Sequence, residues 1–196
     1  MDNIRKLERT NKGWWTLDEI ASTLNLSPEA ASVFKSRAIK RGDLIAIKRG
    51  ICILPGWIEA STETQRFRLA NTMQTPSYVS LLSALSAYGI SSQIPLSVCE
   101  SMNPVRSCRY NYKGFEFRYT VIPKGLFFGF VLKNGAFIAE PEKALVDAAY
   151  LTSLGRYALD EAALDLRKLN RLRLQEYSRK YPDRTGIHID RMIERS

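Results

Sequence analysis

Two groups of residues have the types and spacing to do chemistry. The first lies between residues 28 and 50. Ser32, Lys35, Ser36, Arg37, Lys40 and Arg41 fall in one short segment, and Lys48-Arg49 follow in a Lys-Arg-Gly triplet. Hydroxyls and cations at helical spacing are the groups that meet base edges and phosphates. The second group is Glu140, Glu142, Lys143 and Asp147. A Mg²⁺-dependent nuclease needs converging carboxylates, often with a lysine nearby, and this is the one cluster that such a reaction could recruit. Its spacing is poor for that purpose. Glu142 and Lys143 are adjacent, and Glu142 and Asp147 are badly aligned on one helical face. Proline and two acids at a helix start are also what helix capping alone selects, so this motif is read as structural.

The first group needs two short helices and a hairpin to position it. Thr16 with Glu19 forms a capping box pattern, and Leu17, Ile20, Ala21 and Leu24 then share one helical face. Ser27-Pro28 opens a second helix, with serine as N-cap and proline at the first position. That helix runs to about Arg41 and stops at Gly42. Its expected buried face is Ala30, Ala31, Phe34, Ala38 and Ile39. A helix-turn-helix lays its second helix in the major groove with the N-terminal part nearest the bases. Ser32, Lys35 and Ser36 are therefore candidates for base edges, and Lys40 and Arg41 for phosphates, with Arg37 open to either role or to packing. Residues 44–54 alternate as two β-runs around Lys48-Arg49-Gly50. This is the wing of a winged helix, and its cations suit a phosphate backbone or a minor groove.

Composition is consistent with this reading. The chain has 196 residues, a net charge of +9 and 45% hydrophobic residues. It can bury an ordinary core, and an anionic partner suits it throughout. Cys52, Cys99 and Cys108 are an odd set with no CxxC pair, which argues against a disulfide framework or a zinc site and fits a reducing cytoplasm. With His188 as the one histidine and no Gly-rich phosphate loop, no cofactor or metal is expected. No apolar run has membrane-spanning length, and the N-terminus lacks a signal-peptide core.

Pro55-Gly56 closes the first unit. Beyond it a helix is expected over 60–73 and another over the segment that follows Pro76, ending at Gly89. A strand is expected over Ile94–Cys99. A hairpin is expected over 109–121 about Lys113-Gly114, with one aromatic face buried although Arg109 and Arg118 could make it a stacking surface. A second hairpin turns at Asn134-Gly135, between Phe128–Leu132 and Ala136–Ala139, and runs into a helix at Pro141. Helices are expected over 158–169, 171–180 and 187–195. Arg167, Lys168, Arg171, Arg173, Arg179 and Lys180 form a cationic cluster, read first as a solvated face.

The order of three segments resembles the AbiEi-type antitoxin family, predicted transcriptional regulators of abortive-infection loci. They are RGDLIAIKRGICIL, then SLLSALSAYGI, then FIAEPEKALVDAAYL, and the likeness spans nearly the whole chain. Many members carry Tyr where this chain has Cys52. The resemblance implies a repressor that binds repeats in its own promoter through the winged helix. It also implies an antitoxin whose C-terminal region neutralises a co-encoded nucleotidyltransferase-type toxin, in several members without a stable complex.

The expected architecture is α+β: a winged helix-turn-helix over 1–56, and a larger α+β domain over 57–196 with a small mixed or antiparallel sheet. Double-stranded DNA is the expected partner, with no catalysis. A winged-helix-targeted nuclease and a winged-helix protein-interaction adaptor are the alternatives. No heptad or dimer face is visible, so a dimer on a palindrome and a monomer on each half-site both stand.

Overall fold

The structure, a computed structural model, describes residues 2–194. Among them the chain is α+β, with one three-stranded sheet and one six-stranded sheet. Helix α1 (Asp2–Glu8) precedes β1 (Trp14–Thr16), neither of which has a sequence period long enough to be foreseen. Helix α2 (Leu17–Leu24) starts at the capping box. Thr16 Oγ1 accepts from the Glu19 amide at 3.3 Å, and a Glu19 oxygen accepts from the Thr16 amide at 2.9 Å. A left-handed Asn25 ends it, and Ser27 caps α3 (Pro28–Arg41) through the Ala30 amide at 3.2 Å. Gly42, at φ 79°, ends α3 as expected.

Strands β2 (Ile45–Lys48) and β3 (Ile51–Ile53) pair antiparallel, and β1 lies on the other side of β3. Strand alternation gives this sheet two buried faces. Trp15 and Cys52 point into a core with Leu7, Ile20, Leu24, Ala31, Ala38 and Leu44. Trp14, Ile51 and Ile53 point the other way, into the core of the remaining chain beside Trp57. A sheet covered on both faces needs apolar residues on both, which is why Ile51-Cys52-Ile53 is unbroken. At Gly13 an added Cβ would overlap the Trp57 indole, and φ there is 75°, so this junction needs glycine twice over.

After the short α4 (Trp57–Ala60), Thr62 and Gln65 form a second capping box and open α5 (Glu63–Met73). The larger sheet has the order β6-β7-β5-β4-β9-β8, from β4 (Tyr78–Val79), β5 (Val98–Asn103), β6 (Cys108–Tyr112), β7 (Phe115–Val121), β8 (Phe130–Lys133) and β9 (Ala136–Ala139). It is mixed: β5 runs parallel to β7 and β4 parallel to β9. Both expected hairpins form, turning at Lys113-Gly114 and Asn134-Gly135 with positive φ at all four residues. Phe115, Phe117 and Tyr119 are buried, so the aromatic alternation of β7 is a core face. Helices α6 (Leu81–Ala87), α7 (Pro141–Ser153), α8 (Arg171–Ser178) and α9 (Asp183–Glu194) complete the body.

Four expectations need correction. Tyr78-Val79 form a central strand rather than the first turn of a helix, because pairing to both β5 and β9 outweighs local preference. The strand expected over Ile94–Cys99 begins only at Val98. Pro95 lacks a donor for a ladder, and Leu96 is 81% exposed. Residues 158–169 hold two 3-10 turns instead of an α-helix. The last helix starts at Asp183, and residue 195 of its expected range lies outside the described residues. No helix among the described residues is long and apolar enough to cross a membrane.

Candidate nucleic-acid interface

At 3.6 residues per turn, the buried Ala31 and Ala38 anchor α3 on one side, and Ser32, Ser36 and Lys40 form a stripe facing away from it. All three are exposed. On one flank of the stripe, Lys35 and Ile39 turn toward the β2–β3 hairpin. They share a groove of ≈ 450 Å³ with Lys48 and Arg49. On the other flank, Ala30, Phe34, Arg37 and Arg41 line a groove of ≈ 590 Å³ against α1. The helix therefore stands proud of the surface, with cations on both sides of a hydroxyl-bearing ridge. A ridge of this kind can offer hydroxyls to base edges and cations to two phosphate backbones.

The eight candidate residues are not equivalent. Ser32, Ser36, Arg37, Lys40 and Arg49 are exposed. Arg41 pairs its Nε with Asp43 Oδ2 at 2.8 Å. Lys48 is committed elsewhere: its ammonium donates to the Met73 carbonyl and lies 5.4 Å from the Tyr110 ring centroid. Ala30, expected on the buried face, is exposed, because it faces the open groove beside α1. Val33 was not anticipated. It is 49% exposed next to the hydroxyl stripe, and an apolar residue gave no signal for a polar surface. Its methyls are of the kind that meet a thymine methyl.

The acidic motif has a different environment. Lys143 and Asp147 stand one turn apart on α7 and pair with both side chains at 0% exposure. Lys143 Nζ also donates to Tyr78 Oη at 2.7 Å and lies 2.6 Å from Tyr181 Oη. Asp147 accepts from Tyr78 Oη at 3.0 Å, from Ser80 Oγ at 2.8 Å and from Tyr181 Oη at 2.6 Å. Desolvation lowers the Lys143 pKa, against the opposing pull of Asp147. Burial first, then Asp147, raises those of Tyr78 and Tyr181. Glu142 is also buried, and accepts from the Asn170 amide at 2.8 Å. Glu140 accepts from Tyr177 Oη and pairs with Arg173 at 3.0 Å. These acids hold α7 to β4, to α8 and to the turn between α8 and α9 that carries Tyr181. Among the described residues, no three His, Cys, Asp or Glu side chains come together as a metal-holding group. The sequence suggested a capped helix here, and the i,i+4 spacing of Lys143 and Asp147 was the legible sign of a pair.

The C-terminal cations are partly engaged. Arg167 pairs with Asp165 at 2.9 Å, Lys168 donates to the Gly89 carbonyl at 2.7 Å, and Lys180 lies 4.3 Å from the Phe128 ring centroid.

No family model matches the chain, and no curated protein matches it. A solved structure does: the crystal structure of RV2827C protein from Mycobacterium tuberculosis. The likeness has a TM-score of 0.64 at 14% identity, over 97% of this chain and 74% of that one. At that identity the two chains share a fold, and the comparison extends no further.

Proposed function

We propose that the chain is a DNA-binding autorepressor of the cytoplasm whose N-terminal unit works as a winged helix-turn-helix. The observation that carries the proposal is the placement of α3. Its outward ridge of Ser32, Ser36 and Lys40 is flanked by Lys35 and Arg49 on one side and by Arg37 and Arg41 on the other. In a winged helix the second helix enters the major groove and the hairpin lies along the backbone beside it. The α3 ridge and the β2–β3 hairpin suit those two roles. The antitoxin half of the proposal, neutralisation of a co-encoded nucleotidyltransferase-type toxin, rests on the sequence resemblance to the AbiEi-type family. The burial of Lys143 and Asp147 speaks for a binding role over a nuclease, because neither side chain meets solvent.

The test is binding of the protein to its own upstream DNA and to scrambled DNA of equal length at two salt concentrations. The proposal expects preference for the upstream sequence and a steep salt slope. The variant Lys35→Ala/Arg37→Ala/Lys40→Ala should lower affinity on both DNAs and flatten the slope by about 1 to 3, roughly one for Lys40 and one more for each of Lys35 and Arg37 that meets a phosphate instead of a base. Equal weak binding to both DNAs by the unaltered protein would remove the repressor and leave the adaptor reading.

A further inference from the structure

A cleft of ≈ 820 Å³ opens where the N-terminal unit meets the body. Its walls are aromatic. Phe130 stacks on Tyr78 with centroids 4.7 Å apart and 14° between planes, and Phe137 stands at 90° to Phe130 at 5.9 Å. Phe127 tilts against Phe130 at 4.9 Å, and Trp14 also lines the cleft. Phe137 is 44% exposed, although an aromatic ring in a finished core would be covered. Two rings at right angles make a corner that fits a planar group, stacked on one ring and edge-on to the other.

The polar groups around this corner are mainly cationic donors and hydroxyl acceptors. Arg68 Nε donates to the Asn134 carbonyl at 2.6 Å, which fixes the guanidinium at the rim. Among the described residues its two terminal nitrogens have no ion pair or hydrogen bond. Lys12, paired with Glu19, holds its ammonium 3.6 Å from the Trp14 ring centroid. Thr72 and Thr75 have already donated their hydroxyl hydrogens to the Arg68 and Asn71 carbonyls, so toward the cleft they can only accept. Asn71 is locked between the Phe137 amide and the Ser77 carbonyl. Ser77 lies in the lining at 5% exposure, and its hydroxyl has no hydrogen-bond partner. A buried hydroxyl without a partner marks a place where another polar atom belongs.

We infer that this cleft binds a free mononucleotide, with the base in the Phe130–Phe137 corner and the phosphate on Arg68. A stacking corner takes any base, a guanidinium takes a phosphate through two parallel hydrogen bonds, and threonine acceptors suit ribose hydroxyls. A cleft of this size lies within the usual range of small-molecule sites. The inference is independent of the DNA proposal, since no residue of the α3 ridge lines the cleft.

Calorimetric titration of the full chain with AMP, GMP, CMP and UMP tests it, with adenosine and ribose 5-phosphate as partial ligands. Saturable binding of at least one mononucleotide is expected, with each partial ligand weaker. Arg68→Ala should weaken the nucleotide about tenfold while leaving adenosine unchanged, the loss of one charged hydrogen-bonding partner. Phe137→Ala should weaken both. Both side chains are exposed enough for these variants to fold, and unchanged thermal midpoints check that. The inference fails if no mononucleotide saturates, or if Arg68→Ala binds the nucleotide as the unaltered protein does. It also fails if a 5′-phosphorylated oligonucleotide binds and the mononucleotides do not.

Discussion

Lys48, at the end of β2, donates its ammonium to the backbone carbonyl of Met73 at the end of α5. The residue that local sequence places on a DNA-facing hairpin thus ties that hairpin to the body of the protein. Its position over Tyr110 reinforces the tie. Exposed Lys40 lacks this restraint. The two lysines should therefore behave oppositely. Lys48→Met should lower stability by about 1.5 kcal/mol, the low end for a hydrogen bond from a charged donor because this one is only partly buried, and leave the salt slope of DNA binding unchanged. Lys40→Met should leave stability within about 0.5 kcal/mol and reduce the slope by about 1. Urea denaturation and binding titrations over a salt series read the two effects separately. A loss of slope in Lys48→Met equal to that in Lys40→Met would show that Lys48 leaves Met73 to meet DNA.

The Lys143–Asp147 pair predicts strong asymmetry between single and double replacement. Removing one partner strands a charge in a site without solvent, at a cost of about 3–5 kcal/mol. Asp147→Asn and Lys143→Met should each show this in urea denaturation. The double variant should cost clearly less than the sum of the two, because no unpaired charge remains. Additive losses would mean that the charges do not interact. Because Tyr78 and Tyr181 also contact both groups, Tyr181→Phe should cost a further, smaller amount.

Much of this architecture was legible where physics acts locally. The Thr16–Glu19 box, Ser27-Pro28, Gly42 and the Lys113-Gly114 and Asn134-Gly135 turns are each decided by a few adjacent residues, and each forms as expected. What stayed hidden depends on distant partners. Tyr78-Val79 become a strand because β5 and β9, far along the chain, lie on either side. Trp14 and Trp15 face different cores because a whole body packs behind a small sheet. At the candidate interface the cationic residue types were legible, but the diversion of Lys48 to Met73 and the exposure of Val33 were not. Both depend on where α5 and α1 end up. The aromatic corner draws on residues from four separate segments, and no single stretch of sequence announces it.

Thiol reactivity gives an inexpensive check on the packing. Cys52 is wholly buried with its Sγ 3.7 Å from the Trp15 carbonyl, and burial pushes its pKa up to about 11. Cys99 is raised too, again through burial first. The thiolate is the reactive form, so neither should react with a soluble thiol reagent at neutral pH. Half-buried Cys108 should be labelled first. Peptide mapping after brief alkylation of the folded protein should find the label on Cys108. Label on Cys52 at the same rate would mean that the core between α3 and the small sheet opens readily.

Glu100 sets a pH dependence whose sign follows from its surroundings. Burial raises its pKa above the ordinary 4.5, against the opposing effects of the Tyr157 hydroxyl and Arg118. Tyr157 Oη donates to it at 3.0 Å, and Arg118 Nη1 lies 3.4 Å away. In the unfolded chain the carboxyl ionises near 4.5, while in the folded protein it keeps its proton to a higher pH. Between those two values the folded state binds more protons, so raising the pH favours unfolding. Glu100→Gln, neutral at every pH, lacks this loss. Its stability relative to the unaltered protein should therefore be constant below pH 4.5. It should then rise through the window by no more than about 1.4 kcal/mol per pH unit, and level off above the raised pKa. Urea denaturation of both proteins across that range measures the difference directly. A difference that falls instead as pH rises would mean that Arg118 and Tyr157 outweigh burial and hold the carboxylate ionised.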